Sequence, residues 1–346
     1  MKRFVHIEAS TVEEAVRHLR RYGDRASVLA GGTDLLGKMK DMTLPAYPEA
    51  VINLKAIPGL DFIREEDGML TIGALTRIAD IAAHPSIRRR YAALAEAARR
   101  TASPHLREMG TLGGNICQDI RCWYYRNPNN RFPCLRKGGG RCYAIEGDNR
   151  YHSIFGGSVE EGCCAVHPSD TAPALIALDA RIKTSKRAIK AEDFFEVKVN
   201  KTTALDDDEI VTEIQIPAPG ADTKSAFTKF ALRRSIDFPI VNCAAAIALS
   251  GERVSAARVC LNAVHVIPYR ATEAEKSIIG KVMTDDNAEM AGIAAVSAAR
   301  PLPHNGYMVQ IAKVLVKRTI LACGREAARA EPVSKRTNDG DSTHPR

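Results

Sequence analysis

No stretch of the sequence approaches the run of about 20 apolar residues that a membrane-spanning helix needs. The first residues, Met1 to Glu8, also lack the apolar centre of an export leader. We therefore expect no membrane insertion. The expected location is the cytoplasm, or the periplasm if a partner protein carries the export signal for a folded complex.

The sequence also lacks the features that identify a nucleic-acid-binding protein. Its formal net charge of +8 permits such binding, but the charge is scattered and no known motif accompanies it. We expect no nucleic-acid partner. Part of the charge lies close to the cysteines, where it is either a solvated basic loop or a set of cations that offset the negative charge of bound groups. These residues are Arg121, Arg126, Arg131, Arg136, Lys137, Arg141 and Arg150.

The nine cysteines lack the even number and regular spacing of a disulfide framework. Six of them fall between Met109 and Asp170, which indicates metal-binding or structural thiols. The paired Cys-x-x-Cys spacing common in zinc sites is missing there. Cys243, Cys260 and Cys323 lie in apolar stretches and are predicted to be core residues.

Two glycine-rich turns stand out in the first half of the chain. Gly31-Gly32-Thr33-Asp34 follows a short apolar strand, and Gly110-Thr111-Leu112-Gly113-Gly114-Asn115 precedes the cysteines. Consecutive amides in such turns form a concave site for phosphate oxygens. The first turn has neither the G-x-G-x-x-G nor the P-loop pattern, and alone it is equally an ordinary tight turn.

Strand and helix patterns divide the chain at Pro217–Gly220. Before it, strands are predicted at Val51–Leu54, Leu60–Ile63 and Met69–Gly73. After it, three strands and then helices predict a smaller α+β unit. The predicted units are residues 1–220 with an insertion at about 117–163, residues 224–328, and a disordered tail at 329–346.

Four motifs in order resemble the FAD-binding subunits of the molybdenum hydroxylases, the xanthine dehydrogenase and CO dehydrogenase group. They are Ala30–Leu35, Gly110–Asn115, His167–Asp170 and Lys229–Pro239. The resemblance implies an α+β fold: a p-cresol methylhydroxylase-type FAD-binding domain of two α/β subdomains, then a small α+β domain of the CO dehydrogenase flavoprotein type.

The resemblance also implies a set of FAD-binding positions. The two glycine turns would cradle the pyrophosphate, Asp170 would accept from a ribose hydroxyl, and Lys229 would place a cation near the cofactor. Otherwise Asp170 is a helix cap, Lys229 a solvated residue and Val211 a core residue. The full set is Val28, Leu29, Ala30, Gly31, Gly32, Thr33, Asp34, Leu35, Thr101, Gly110, Thr111, Leu112, Gly113, Gly114, Asn115, Asp170, Val211 and Lys229.

The cysteine-rich stretch resembles an insertion that binds a [4Fe–4S] cluster in two subtypes, the 4-hydroxybenzoyl-CoA reductase β subunit and the periplasmic aldehyde oxidoreductase flavoprotein. The implied ligands are Cys122, Cys134, Cys142 and Cys163, with the adjacent Cys164 as the alternative fourth ligand. Four thiolates suit such a cluster because each iron takes one protein ligand. The alternative is structural zinc. Cys117 is predicted to be a buried structural thiol, and His152 a loop residue or a neighbour of the cluster.

The implied function is an electron-transfer flavoprotein subunit with no catalytic acid–base residues of its own. Its implied partners are a molybdopterin-binding large subunit and a small subunit with two [2Fe–2S] clusters, which would form a heterotrimer or its dimer with this chain. An external electron acceptor or donor is the third implied partner. FAD and the [4Fe–4S] cluster would relay the electrons. The alternatives are a self-contained flavin oxidase and a zinc-stabilised basic module that binds nucleic acid through Trp123, Tyr124 and Tyr125.

Overall fold

The chain begins with a small parallel sheet. A computed structural model describes residues 1–157 and 162–324. The order of its first sheet is β1-β3-β2, and the apolar β3 is the buried central strand. Thr11 caps helix α1 by accepting from Glu14 N at 3.1 Å, and the apolar face of that helix packs on the sheet. The elements are β1 (Val5–Glu8), α1 (Val12–Tyr22), β2 (Ala26–Leu29), α2 (Leu35–Lys40) and β3 (Ala50–Asn53).

A second, antiparallel sheet follows, with helices against it. Its strand order is β4-β5-β10-β6-β7, and its inner face forms one core with the helices, centred on residues such as Ile72, Leu94 and Ile214. The strands are β4 (Ile63–Glu66), β5 (Met69–Gly73), β6 (Arg181–Thr184), β7 (Ala188–Lys190) and β10 (Val211–Pro217), beside a hairpin of β8 (Phe195–Lys198) and β9 (Lys201–Thr203). The helices are α3 (Ile78–Ala83), α4 (Pro85–Arg90), α5 (Ala92–Arg100), α6 (Pro104–Met109), α7 (Leu112–Ile116) and α8 (Thr171–Ala177).

The predicted strand at Leu60–Ile63 is wrong in position, since β4 begins only at Ile63. Asp67 and Gly68 both have positive φ, at 50° and 72°, and form a two-residue turn that pairs Glu66 with Met69. Because the turn has only two residues, β4 extends to Glu66, the residue directly before the turn. The acidic residues of β4 are accommodated because β4 is an exposed edge strand.

The last described unit is a four-stranded antiparallel sheet covered by helices. Cys243 and Cys260 lie in its strands and Cys323 in its last helix, and all three are buried, which confirms their prediction as core residues. No helix in residues 1–157 or 162–324 has both the length and the apolar character needed to cross a bilayer. The elements are β11 (Thr223–Phe230), β12 (Val241–Ser250), β13 (Arg253–Asn262), β14 (Tyr269–Arg270), α9 (Thr272–Ile278), α10 (Asp285–Ala295) and α11 (Gly306–Gly324).

The cysteine-rich insertion connects α7 to α8. Apart from two short 3₁₀ turns at Pro128–Asn130 and Leu135–Lys137, its described residues are irregular. Its two ends meet: Arg121 and Val166 exchange backbone hydrogen bonds of 2.9 and 3.1 Å. Residues 158–161 of the predicted insertion, and the predicted tail at 329–346, lie outside the described residues.

Candidate flavin site and cysteine cavity

The two glycine turns border one cavity of about 400 Å³, a size typical of small-molecule sites. Most of the residues that the sequence predicts for FAD line it, but Leu29, Leu112 and Lys229 do not. Those lining it are Val28, Ala30, Gly31, Gly32, Thr33, Asp34, Leu35, Thr101, Gly110, Thr111, Gly113, Gly114, Asn115, Asp170 and Val211. Its apolar wall was not evident from the sequence and includes Leu54, Leu75, Ile78, Leu106 and Ile210.

The glycines are needed because the two turns touch each other. A Cβ at Gly31 would lie 2.2 Å from the Met109 carbonyl oxygen and 2.9 Å from Gly110 Cα. Gly32 has a φ of +72°, which L-residues rarely adopt. The backbone N–H groups of Gly31, Gly32 and Thr33 donate no hydrogen bond to a backbone carbonyl of the described residues. This narrow cradle with unused amide donors fits a diphosphate.

Asp34 faces the insertion as well as the cavity. Its Oδ1 lies 2.7 Å from Arg126 Nη1 and 3.0 Å from Arg121 Nη2, and its Oδ2 accepts from Asp119 N at 3.0 Å. Burial opposes ionisation, but the nearby cations, Arg126 first, hold the pKa of Asp34 below its ordinary value. The first glycine turn is therefore fastened to the insertion by partly buried ion pairs. Arg121 and Arg126 pair with a carboxylate, a role that the sequence did not reveal.

Asp119 is the centre of a second buried charge network. Its carboxylate accepts from Lys38 Nζ at 3.0 Å, Tyr125 Oη at 2.6 Å and its neighbour Ile120 N at 2.9 Å. Arg136, which is 0% exposed, lies 3.5 Å away. Burial would raise the pKa of Asp119, but these cations and Arg126 outweigh it and lower the pKa below the ordinary range.

We expect Asp119→Asn to lower the free energy of unfolding by about 3 kcal/mol, because it leaves buried cations without their counter-charge. Urea unfolding followed by circular dichroism would measure the change. Asp80→Asn is the matched control, because it removes a carboxylate whose partner, Arg77, is half exposed, and it should leave the midpoint almost unchanged. Equal midpoints for the two variants would contradict this account.

Asp170, which lines the cavity, forms a buried ion pair with Lys229. Lys229 Nζ lies 2.6 Å from Asp170 Oδ2, and Asn242 Nδ2 donates to Oδ1 at 2.7 Å. Burial raises the pKa of Asp170 despite Lys229. Asp170 does not cap α8 through its side chain; Ser169 Oγ does this instead, accepting from Ala172 N at 3.0 Å. Lys229 is buried rather than solvated, and it holds the carboxylate that lines the cavity.

A separate small cavity inside the insertion brings four cysteines together. It is lined by Cys122, Cys134, Cys142 and Cys163, with Tyr124, Tyr125, Arg136 and Tyr143 among its other walls. Cys164 does not line it, although its thiol is within hydrogen-bonding range of Cys142. Burial raises the pKa of Cys163 to about 12, so this thiol would ionise only on binding a metal. Cys117 lines the flavin cavity instead, and burial raises its pKa to about 12.

The charges around this cavity fit an anionic guest. Lys137 is buried, and its Nζ has no hydrogen-bond partner among the described residues. It lies 5.3 Å from the centroid of the Tyr125 ring, and thiolates at Cys134 and Cys122 would supply opposite charge. A buried, unpaired ammonium is costly unless a negative group compensates it. In residues 1–157 and 162–324, no three His, Cys, Asp or Glu side chains converge on one ion position. Four thiols are the donor set of both a [4Fe–4S] cluster and a structural zinc ion.

Two family sequence models match the chain over nearly all its described length. The model for the FAD binding domain in molybdopterin dehydrogenase matches residues 2–219, and that for the CO dehydrogenase flavoprotein C-terminal domain matches residues 225–323. The chain belongs to the FAD-binding subunits of the molybdenum hydroxylase family. It is an oxidoreductase subunit that binds FAD, which decides against the nucleic-acid-binding and self-contained oxidase alternatives.

Individual relatives agree with this family assignment. The aldehyde oxidoreductase FAD-binding subunit PaoB of Escherichia coli K12 is 34% identical over 94% of this chain and 99% of the relative. The carbon monoxide dehydrogenase medium chain of Hydrogenophaga pseudoflava is 29% identical, covering 94% and 99%. The solved carbon monoxide dehydrogenase from that organism, lacking the Mo-pyranopterin moiety, superimposes with a TM-score of 0.74 at 29% identity, over 93% of this chain and 98% of that chain.

Within this FAD-binding subunit, His152 is the residue that the sequence left most open. The structure puts it in a loop, as predicted, and also against Cys122: its Nε2 lies 3.2 Å from Cys122 Sγ. Its position beside the insertion is the signal that allowed either role, but the sequence did not identify Cys122 as the residue it contacts. Asn242, which holds Asp170, was missed because it lies within an apolar strand.

Proposed function

We propose that this subunit relays electrons between an iron–sulfur partner subunit and an external acceptor or donor, using FAD and a [4Fe–4S] cluster. The observation that carries the cluster assignment is the convergence of Cys122, Cys134, Cys142 and Cys163 on one cavity. The buried Lys137 beside it supports the assignment, because a thiolate-ligated cluster would supply the missing negative charge.

The chain's own residues would hold the two groups in fixed positions. The amides of the first glycine turn would bind the FAD diphosphate beside the second turn. Asp170, oriented by Lys229 and Asn242, would accept from a ribose hydroxyl. When bound, FAD supplies the link between one-electron and two-electron carriers. The buried pairs of Asp34 and Asp119 would keep the flavin cradle and the cysteine cavity in register.

The proposed partners follow from the family. A molybdopterin-binding large subunit would transform the organic substrate, and a small subunit with two [2Fe–2S] clusters would pass its electrons to this chain, in a heterotrimer or its dimer. The relatives, an aldehyde oxidoreductase FAD-binding subunit and a carbon monoxide dehydrogenase medium chain, support a complex of this type. This subunit would serve as the exchange point with an external carrier.

Metal and flavin analysis of the anaerobically purified protein tests the proposal. We expect about one FAD and about four irons per chain, with an EPR signal that appears on reduction by dithionite. Flavin without iron would remove the cluster from the proposal and leave the flavin relay in place. Zinc in place of iron, with no EPR signal, would assign the four cysteines to a structural site.

A further inference from the structure

The imidazole of His152 is in direct contact with one of the four cavity cysteines. Its Nε2 lies 3.2 Å from Cys122 Sγ, within the contact range of a hydrogen bond to sulfur. We propose that His152 donates this hydrogen bond to the Cys122 thiolate and raises the reduction potential of the cluster. The inference rests on the proposed function, because it requires Cys122 to be a cluster ligand.

The chemistry of the sulfur fixes the direction of the hydrogen bond. A metal-bound thiolate has no proton and only accepts, so the ring nitrogen next to it must carry the hydrogen. A donor to a ligand sulfur stabilises negative charge, and the reduced cluster carries one more negative charge than the oxidised cluster. The hydrogen bond therefore favours reduction, and hydrogen bonds to sulfur are among the factors that set cluster potentials.

The ring is held in place from several sides. His152 is 1% exposed, and its ring centroid lies 5.6 Å from that of Trp123 and 6.0 Å from that of Tyr124. Its backbone N–H donates to Asn149 O at 3.1 Å, and its carbonyl accepts from Asn305 Nδ2 at 2.9 Å. Such a fixed donor gives a fuller electrostatic effect than a mobile one, because it needs no reorganisation when the charge changes.

The C-terminal unit contributes to this placement. Asn305 is fully buried and comes directly before α11, and it also donates to Ser153 O at 3.0 Å. Asn149 in turn accepts from the backbone N–H of His304 at 2.9 Å through its Oδ1. The segment carrying His152 therefore contacts the cysteine cavity on one side and is hydrogen-bonded to the C-terminal unit on the other. His152 is a positioning residue that acts through Cys122.

Two substitutions separate hydrogen bonding from packing. His152→Phe keeps an aromatic ring against Trp123 but removes the donor, whereas His152→Gln keeps an N–H at a similar distance from the backbone. His304→Gln is the matched control, because His304 is exposed and makes its contact to Asn149 through the backbone alone. A second donor to Cys122 Sγ, the backbone N–H of Tyr125 at 3.5 Å, is unchanged in every variant.

The readout is the midpoint potential of the cluster, measured by redox titration with EPR detection. In His152→Phe we expect the equilibrium constant for cluster reduction to fall about tenfold, a shift of about 59 mV for a one-electron couple. We expect His152→Gln to recover most of the shift and His304→Gln to show none. An unchanged midpoint in His152→Phe at full iron content would overturn the inference, as would equal shifts in the Phe and Gln variants.

A measurement on the unaltered, untagged protein covers the case in which His152→Phe does not assemble. With ¹⁵N-labelled histidine, pulsed EPR of the reduced cluster should detect a coupled histidine nitrogen. Absence of that coupling would overturn the inference while the cluster assignment stands. Absence of iron from the unaltered protein would overturn the cluster assignment and, with it, the role of His152.

Discussion

Gly31→Val is expected to weaken FAD binding by well over tenfold, so that the purified protein carries little flavin. The first side-chain carbon would lie 2.2 Å from the Met109 carbonyl oxygen and 3.0 Å from its carbonyl carbon. Both atoms belong to the backbone, so a rotamer change cannot relieve the clash. The two glycine turns would have to separate, and a cost of only about 1.4 kcal/mol already lowers affinity tenfold.

Flavin content after heat release, and FAD titration of the flavin-free protein, would measure this loss. Gly37→Ala is the matched control: Gly37 lies in α2, and nothing lies within 4 Å of the added carbon. We expect that variant to bind FAD normally and to be slightly stabilised, since alanine favours helix more than glycine does. Normal flavin content in Gly31→Val would contradict the assignment of these turns to the diphosphate.

Cys163→Ser is expected to reduce the iron content from about four per chain to nearly zero, whereas Cys164→Ser should leave it almost unchanged. The two residues are adjacent and both buried, but only Cys163 lines the cavity with Cys122, Cys134 and Cys142. Serine is nearly the same size as cysteine but a poor ligand for iron, so the pair isolates ligation from packing.

Iron analysis and the visible and EPR spectra of both variants, prepared anaerobically, would decide between the two positions. Flavin content is the internal control, because neither Cys163 nor Cys164 lines the flavin cavity. Loss of iron in Cys164→Ser with retention in Cys163→Ser would exchange the assignments. Full iron in both variants would exclude the cysteine pair as a source of the fourth ligand.

The features that were predictable from sequence have local signatures. The first glycine turn is recognisable because strand, glycines and helix follow one another within a few residues, and the second because three glycines fall within five residues. The core positions of Cys243 and Cys260 follow from the apolar strands around them. The acidic and glycine residues Glu65–Gly68 are a typical hairpin turn, but they did not show that the strand before the turn continues to Glu66.

The features that the sequence did not reveal depend on pairs far apart in the chain. Asp34 and Arg126 are 92 residues apart, and Asp170 and Lys229 are 59 apart. Nothing near Asp34 distinguishes a buried ion-pair partner from an ordinary turn residue, because the burial arises only when the insertion folds back. For the same reason the sequence could not distinguish Cys163 from Cys164. The direction of the folded backbone decides which of two adjacent thiols faces the cavity.

The meeting of Arg121 with Val166 gives the cysteine segment a narrow neck. Cys122 is next to Arg121 and Cys163 is close to Val166, so the proposed first and last cluster ligands both lie at that neck. A cluster bound there would act as a cross-link that closes a long loop, and it would remove conformational freedom from the unfolded chain as a disulfide does. Because the two ends of the segment meet at this neck, the segment could be added or removed at one point without re-routing the strands and helices around it.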